Sequence, residues 1–132
     1  MNTTRHHRRA AAAAALFLAI GAPAMAQGKG AGPKLAQETV KLLSTQEAML
    51  VTAVRQKDSR GGAEDFRRFI LQPVEDMQSR WAALPREVRL EHIHCATALQ
   101  EFANFASDSF KAGRIGQPTS LYKESLPVCK KG

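Results

Sequence analysis

Apolar residues recur along this chain at spacings of three and four, the period of a helix with one buried face, in three long stretches. In the first, Ala36, Val40, Leu43, Leu50 and Val54 form a stripe that Leu35, Leu42, Met49 and Ala53 widen, while Lys34, Gln37, Lys41, Ser44, Thr52 and Arg55 make a solvated opposite face. The helix is expected to start at Pro33, where a missing N–H costs nothing, and to reach about Lys57. D-S-R-G-G over 58–62 then reads as a loop.

A second helix is predicted from Ala63, with Glu64 and Asp65 in its first turn, where acids suit the helix dipole. Phe66, Phe69, Ile70, Val74, Met77, Trp81 and Leu84 give it an apolar face. Pro73 cannot donate to the carbonyl of Phe69, so the helix must kink there or restart, with Glu75 and Asp76 as new first-turn acids. The third and longest helix opens at Pro85 and ends at Gly113 as a left-handed cap; Val88, His92, Cys95, Leu99, Phe102 and Ala106 make its stripe, flanked by Ile93, Ala96, Ala103 and Phe110. A turn over Gly116–Ser120 leads to a short fourth helix within Pro118–Leu126, which Pro127 is expected to stop. Short connections make sequential helices antiparallel. The expected fold is therefore all-α: a small antiparallel bundle of three main helices, the second kinked or broken at Pro73, with a short C-terminal helix tied back by a disulfide.

The stretch before Pro33 carries a different signal. Arg5, Arg8 and Arg9 form a positive segment, Ala10 to Ile20 an apolar run of about a dozen residues, and Ala24-Met25-Ala26 a small-x-small cleavage pattern. A bilayer-spanning helix needs about 20 apolar residues, so this reads as a cleavable export signal over residues 1–26 and not as an anchor. Gly21 and Pro23 are expected to break the helix before the cut. The Arg8-Arg9 pair leaves the general secretory and twin-arginine routes both open. Residues 27–32, Q-G-K-G-A-G, read as a flexible leader, since no G-K-[ST] follows to make a phosphate loop, and residues 33–132 as a single domain. The expected location is the bacterial periplasm or exterior.

Removing the signal changes the charge reading. The whole chain carries 19 basic and 12 acidic residues, but Arg5, Arg8 and Arg9 leave with the signal, and the rest interleave with acids along the chain. That pattern lacks the basic stripe of a nucleic-acid-binding module. It also predicts no stable membrane insertion after cleavage, and nothing in it excludes a homodimer.

Cys95 and Cys129, an even count in an exported chain, read as a structural disulfide. Closing a loop of about 35 residues stabilises by about 2–4 kcal/mol in the chain-entropy account. Glu91-His92-Ile93-His94-Cys95 holds metal-ligand types, yet on an intact helix His92 and His94 point apart. Glu91 and His94 have the E-x-x-H spacing of carboxylate-bridged di-iron bundles. After cleavage His92 and His94 are the only histidines, so one chain cannot supply a second such motif. Glu91 and His94 thus remain weak metal candidates, and no metal or other cofactor is expected. His92 is expected at the edge of the core and His94 in solvent.

Ser107, Ser109, Ser120 and Ser125 lack any nucleophile motif, and Glu75-Asp76 are consecutive, so their side chains diverge; the chain does not read as an enzyme. Two binding surfaces do suggest themselves. Glu87, Glu91, His94, Glu101 and Asp108 share a stripe of the third helix with Phe105, which is either an exposed anchor ringed by acids or a core residue beneath the C-terminal segment. Phe66, Phe69, Trp81 and Phe102 are candidates to line an interhelical ligand cavity. The sequence thus points to an exported protein acting by non-catalytic binding of another envelope protein, in an adaptor, inhibitor or immunity-like role, with carriage of a small apolar ligand as the alternative and a metal-binding bundle after it.

Overall fold

The computed structural model describes residues 10–132, with side chains from residue 30 onward. Its elements are α1 (Ala10–Arg55), α2 (Gly62–Phe66), a π-helical turn (Arg67–Leu71), α3 (Gln72–Ala82), α4 (Arg86–Glu91), α5 (Ile93–Ala112) and α6 (Ser120–Lys131). Contacts at the two ends of the helices fix the arrangement. Gln46 of α1 meets Phe69 and Ile70, and Glu38, further back on α1, pairs with Arg80 of α3, so these run antiparallel. Trp81 lies against His92 before α5 while Phe66 stacks on Phe110 near its end, so α5 returns in the direction of α1. Tyr122 meets Glu47, and Cys129 lies beside Ala36, which runs α6 antiparallel to α1. The result is an up-down-up-down bundle with the Cys95–Cys129 disulfide in its core.

Helix α1 starts well upstream of Pro33. It runs from Ala10 past Gly21 and Pro23, so the expected helix break before Ala26 is not seen, and Pro33 lies inside the helix. Alanine has the highest helix propensity, which favours this conformation over the apolar run. Nearer the domain, packing holds the chain: a Cβ at Gly32 would stand 2.6 Å from His92 Nε2 and 2.9 Å from Val88 Cγ1, so a bare glycine lets α1 and α4 approach. The segment carrying Arg5, Arg8 and Arg9 lies outside the described residues.

The inner face of α1 is not purely apolar. Leu35, Ala36, Leu43, Leu50 and Val54 are buried as expected, Met49 is exposed, and Thr39 and Gln46 are buried with the apolar residues. Each has a polar task. Trp81 Nε1 donates to Thr39 Oγ1 at 2.9 Å, and that hydroxyl donates to the carbonyl of Leu35 at 2.7 Å. Gln46 Nε2 donates to the carbonyls of Phe69 (2.7 Å) and Ile70 (3.0 Å), where Pro73 has no N–H to offer. The second helix is thus broken near Pro73 as expected: α2 widens into one π turn, α3 begins at Gln72 with Pro73 and Glu75 in its first turn, and a side chain from α1 supplies donors at the defect. We expect Gln46→Leu, close in volume but without the amide, to cost about 1–3 kcal/mol in urea unfolding, the usual cost of leaving buried acceptors short of a donor; an unchanged midpoint would deny the amide this role.

The π turn also moves Phe69. Its extra residue per turn rotates the side chain away from the core, leaving it 48% exposed with the Arg68 guanidinium 5.5 Å from the ring centroid. Gly62 begins α2 under tighter constraint, since a Cβ there would lie 2.3 Å from the carbonyl oxygen of Gln56.

The expected single helix from Pro85 to Gly113 is interrupted at His92, whose backbone (φ −115°, ψ 31°) ends α4 and precedes α5. No glycine or proline lies there. The anchors are tertiary: Val88 and His92 meet Gly32 of α1, while Cys95 is bonded to Cys129. Gly113 caps α5 in the left-handed region (φ 71°), as expected, and Lys57 Nζ donates to the Lys111 carbonyl at 2.5 Å. Helix α6 passes through Pro127 to Lys131 instead of stopping there. Pro127 is exposed, the Thr119 side chain caps the first turn by accepting from Tyr122 N at 3.1 Å, and the buried Cys129 holds the last.

Candidate functional site

The acidic stripe does not become a partner surface with an aromatic anchor. Phe105 is 8% exposed and packs edge-to-face on Phe102 at 6.3 Å between centroids, so it belongs to the core. Glu101 is half-buried and accepts from Thr119 Oγ1 at 2.9 Å, tying the start of α6 to α5. Glu87, Glu91, His94 and Asp108 are exposed, the first two on α4 and the others on α5, with the interruption at His92 between them. The same interruption separates Glu91 from His94, which were paired on the premise of a continuous helix. Among the described residues no three His, Cys, Asp or Glu side chains come together, and Cys95 is committed to Cys129 (Cα–Cα 4.7 Å).

Of the four aromatic candidates, Phe66 and Phe69 line one hollow of about 300 Å³ between α1 and α2, while Phe102 and Trp81 do not reach it. Phe102 is fully buried, and Phe66 is stacked on Phe110 with centroids 4.1 Å apart. Phe69 faces out beside Met49. Trp81 stands at a different place, beside His92 with ring centroids 5.5 Å apart, and it marks the surface feature that the sequence did not reveal.

That feature is a groove of about 430 Å³ between α3 on one side and α4 with the first turns of α5 on the other. Its apolar wall includes Trp81, Leu90 and Ile93, and the Gln78 amide donates to Gln100 Oε1 at 3.3 Å across one end. Leu90 is 57% and Ile93 47% exposed, so the groove is open on its outer side. The charged side chains lining it, Arg86 and Arg89, are both basic. His92 also lines it; the residue is buried, with its ring tilted against Trp81 and facing Gly32. The local fold explains the arrangement. Val88 turns toward α1, so Arg86, Arg89 and Leu90 of the same short helix must turn outward. Leu90 could have been flagged in the sequence, because it lies two residues from both Val88 and His92 and so cannot share their buried side. Ile93 reads as a flank of the core stripe, yet within α5 it lies two residues before the buried Cys95 and so faces the surface.

The strongest electrostatic perturbation lies elsewhere. The Tyr122 hydroxyl donates to Glu47 Oε1 at 2.5 Å, joining α6 to α1. Burial, then the hydrogen bond to Glu47 and its negative charge, push the phenol well above its ordinary value of 10.0. The folded state therefore holds this proton more tightly than the unfolded chain. Its contribution to stability is complete below about pH 10 and is lost as the pH rises toward the folded value. Urea midpoints between about pH 9 and about pH 11 should fall more steeply for the wild type than for Tyr122→Phe; parallel slopes would contradict the coupling.

No protein-family model, curated protein or solved structure matches this chain. What it does must be argued from its own geometry.

Proposed function

We propose that this chain is exported, is cleaved after Ala26, and acts without catalysis by binding another protein of the cell envelope through the groove between α3 and α4–α5. One observation carries the reading: Leu90 and Ile93 stand about half exposed in one groove, which the buried Trp81 also lines and whose lining charges have one sign. Single exposed apolar residues are ordinary, but a contiguous group rimmed by charge is the arrangement of a docking surface. The buried Cys95–Cys129 bond supports the compartment, because such bonds persist in oxidising spaces. Among the described residues no helix is long and apolar enough to cross a membrane.

The volume of the groove, about 430 Å³, lies within the range of small-ligand sites and keeps a carrier role as the second reading. Small ligands are usually enclosed over most of their surface, however, and this groove is open along one side. Immobilised mature protein incubated with envelope extract separates the two. The wild type should retain a protein that the Leu90→Glu/Ile93→Glu variant loses, and both residues are exposed enough for the variant to fold. Equal retention by both, or a small apolar molecule carried stoichiometrically through purification, would contradict protein docking here.

A further inference from the structure

Resting on that reading, the groove also constrains what docks in it. We propose that the occupant is an amphipathic helix of the partner, with apolar residues at i, i+3, i+4 and i+7 and an acidic flank over Arg86 and Arg89.

Three observations converge on this chemistry. The groove is a trough between helices, walled by α3 and by α4 with the start of α5, and is open outward, the form that accepts a helix laid along it. Its exposed apolar surface comes from Leu90 and Ile93, with the buried Trp81 in the wall behind them, which suits a row of apolar anchors better than one enclosed ligand. Its two lining charges, Arg86 and Arg89, lie one turn apart on α4, and no acid lines the groove. Exposed arginines in this position steer and select acidic partners and repel basic ones. Glu87 and Glu91 lie on the same short helix but do not line the groove. The acidic preference is therefore confined to the flank of the partner that covers the arginines.

Trp81 lines the groove but is buried and bonded to Thr39, so occupancy is read from the fluorescence anisotropy of labelled peptides. The test uses the mature protein and two synthetic peptides of about four helical turns with identical apolar residues, one flanked by glutamates and one by lysines. The glutamate peptide should bind at least about ten-fold more tightly, and raising salt from low to physiological strength should weaken it. Arg86→Glu/Arg89→Glu should reverse the preference; both side chains are exposed, and an unchanged circular dichroism spectrum would confirm that the variant folds. The proposal is overturned if the two peptides bind alike, if neither binds, or if the arginine variant keeps the wild-type preference. It is also overturned if sodium oleate or a second copy of the chain saturates the groove and displaces the glutamate peptide. Loss of peptide selectivity alongside retention of an envelope protein through Leu90 and Ile93 would remove only the helical, acidic character of the partner. The reverse result would remove the envelope protein and leave the groove's selectivity standing.

Discussion

Replacing Phe105 by alanine should cost about 3–5 kcal/mol of stability, the usual range for deleting a buried phenylalanine. The residue is 8% exposed, lies edge-to-face on Phe102, and Phe102 in turn lies 6.1 Å from Tyr122 of α6. Truncation would therefore open a cavity where α5 and α6 meet. The comparison that gives the result meaning is Asp108→Ala on the exposed side of the same helix, which should leave the melting temperature nearly unchanged. If Phe105→Ala melts like the wild type while losing a binding partner, the ring is a surface anchor and its place in the core is wrong.

The second large effect is expected from the disulfide. Cys95 and Cys129 are both buried, and their bond joins the start of α5 to the last turn of α6, beside Ala36 of α1. Cys95→Ala/Cys129→Ala should lose about 2–4 kcal/mol, from the loop-closure contribution of the bridge. The loss should be local as well as global. Helix α6 has twelve residues, contains Pro127 and exposes Leu121 and Val128. Without the bridge its remaining ties are chiefly Tyr122 to Glu47 and Thr119 to Glu101, together with the packing of Tyr122. Limited proteolysis should therefore cut the double variant first within residues 120–132 at temperatures where the rest of the domain resists. Equal protection of that segment in both proteins would contradict the role given to the bond.

These two residues also mark how far the sequence could be read. Pairing Cys95 with Cys129 followed from an even cysteine count and a signal-like start, and the structure contains that bond. Phe105 has two readings in the sequence because periodicity identifies a face of a helix but not what covers it; in the structure it is buried against Phe102. Gln46 was overlooked since polar residues are left out of a hydrophobic pattern. Its signal is nevertheless present as the six-residue gap between Leu43 and Leu50, where one step of the inner stripe is missing. The need at Pro73 was legible too, as a carbonyl of Phe69 without its usual donor. What could not be read was that Gln46, 23 residues earlier, would supply one.

Other features depend on a change of register that local patterns do not carry. Phe69 fits the core at spacing three from Phe66, but a π turn adds a residue and swings it out. Glu91 and His94 share a face only on a continuous helix, and the interruption at His92 puts them on different helices. Neither defect has a glycine or proline at the point where the register shifts, although Pro73 lies just beyond the first. Both are fixed by contacts with α1, from Gln46 in one case and Gly32 in the other. The working surface was consequently sought on the acidic stripe of α5 and is proposed instead on the basic, apolar groove beside it.

That choice of surface can be tested inside cells with a photocrosslinking amino acid at single positions of the full chain, at Ile93 in the groove and at Asp108 on the acidic side of α5. The groove account predicts one discrete protein adduct from Ile93, diminished by Arg86→Glu/Arg89→Glu, and none from Asp108. An adduct from Asp108 with Ile93 silent would contradict it and return the binding surface to the acidic stripe.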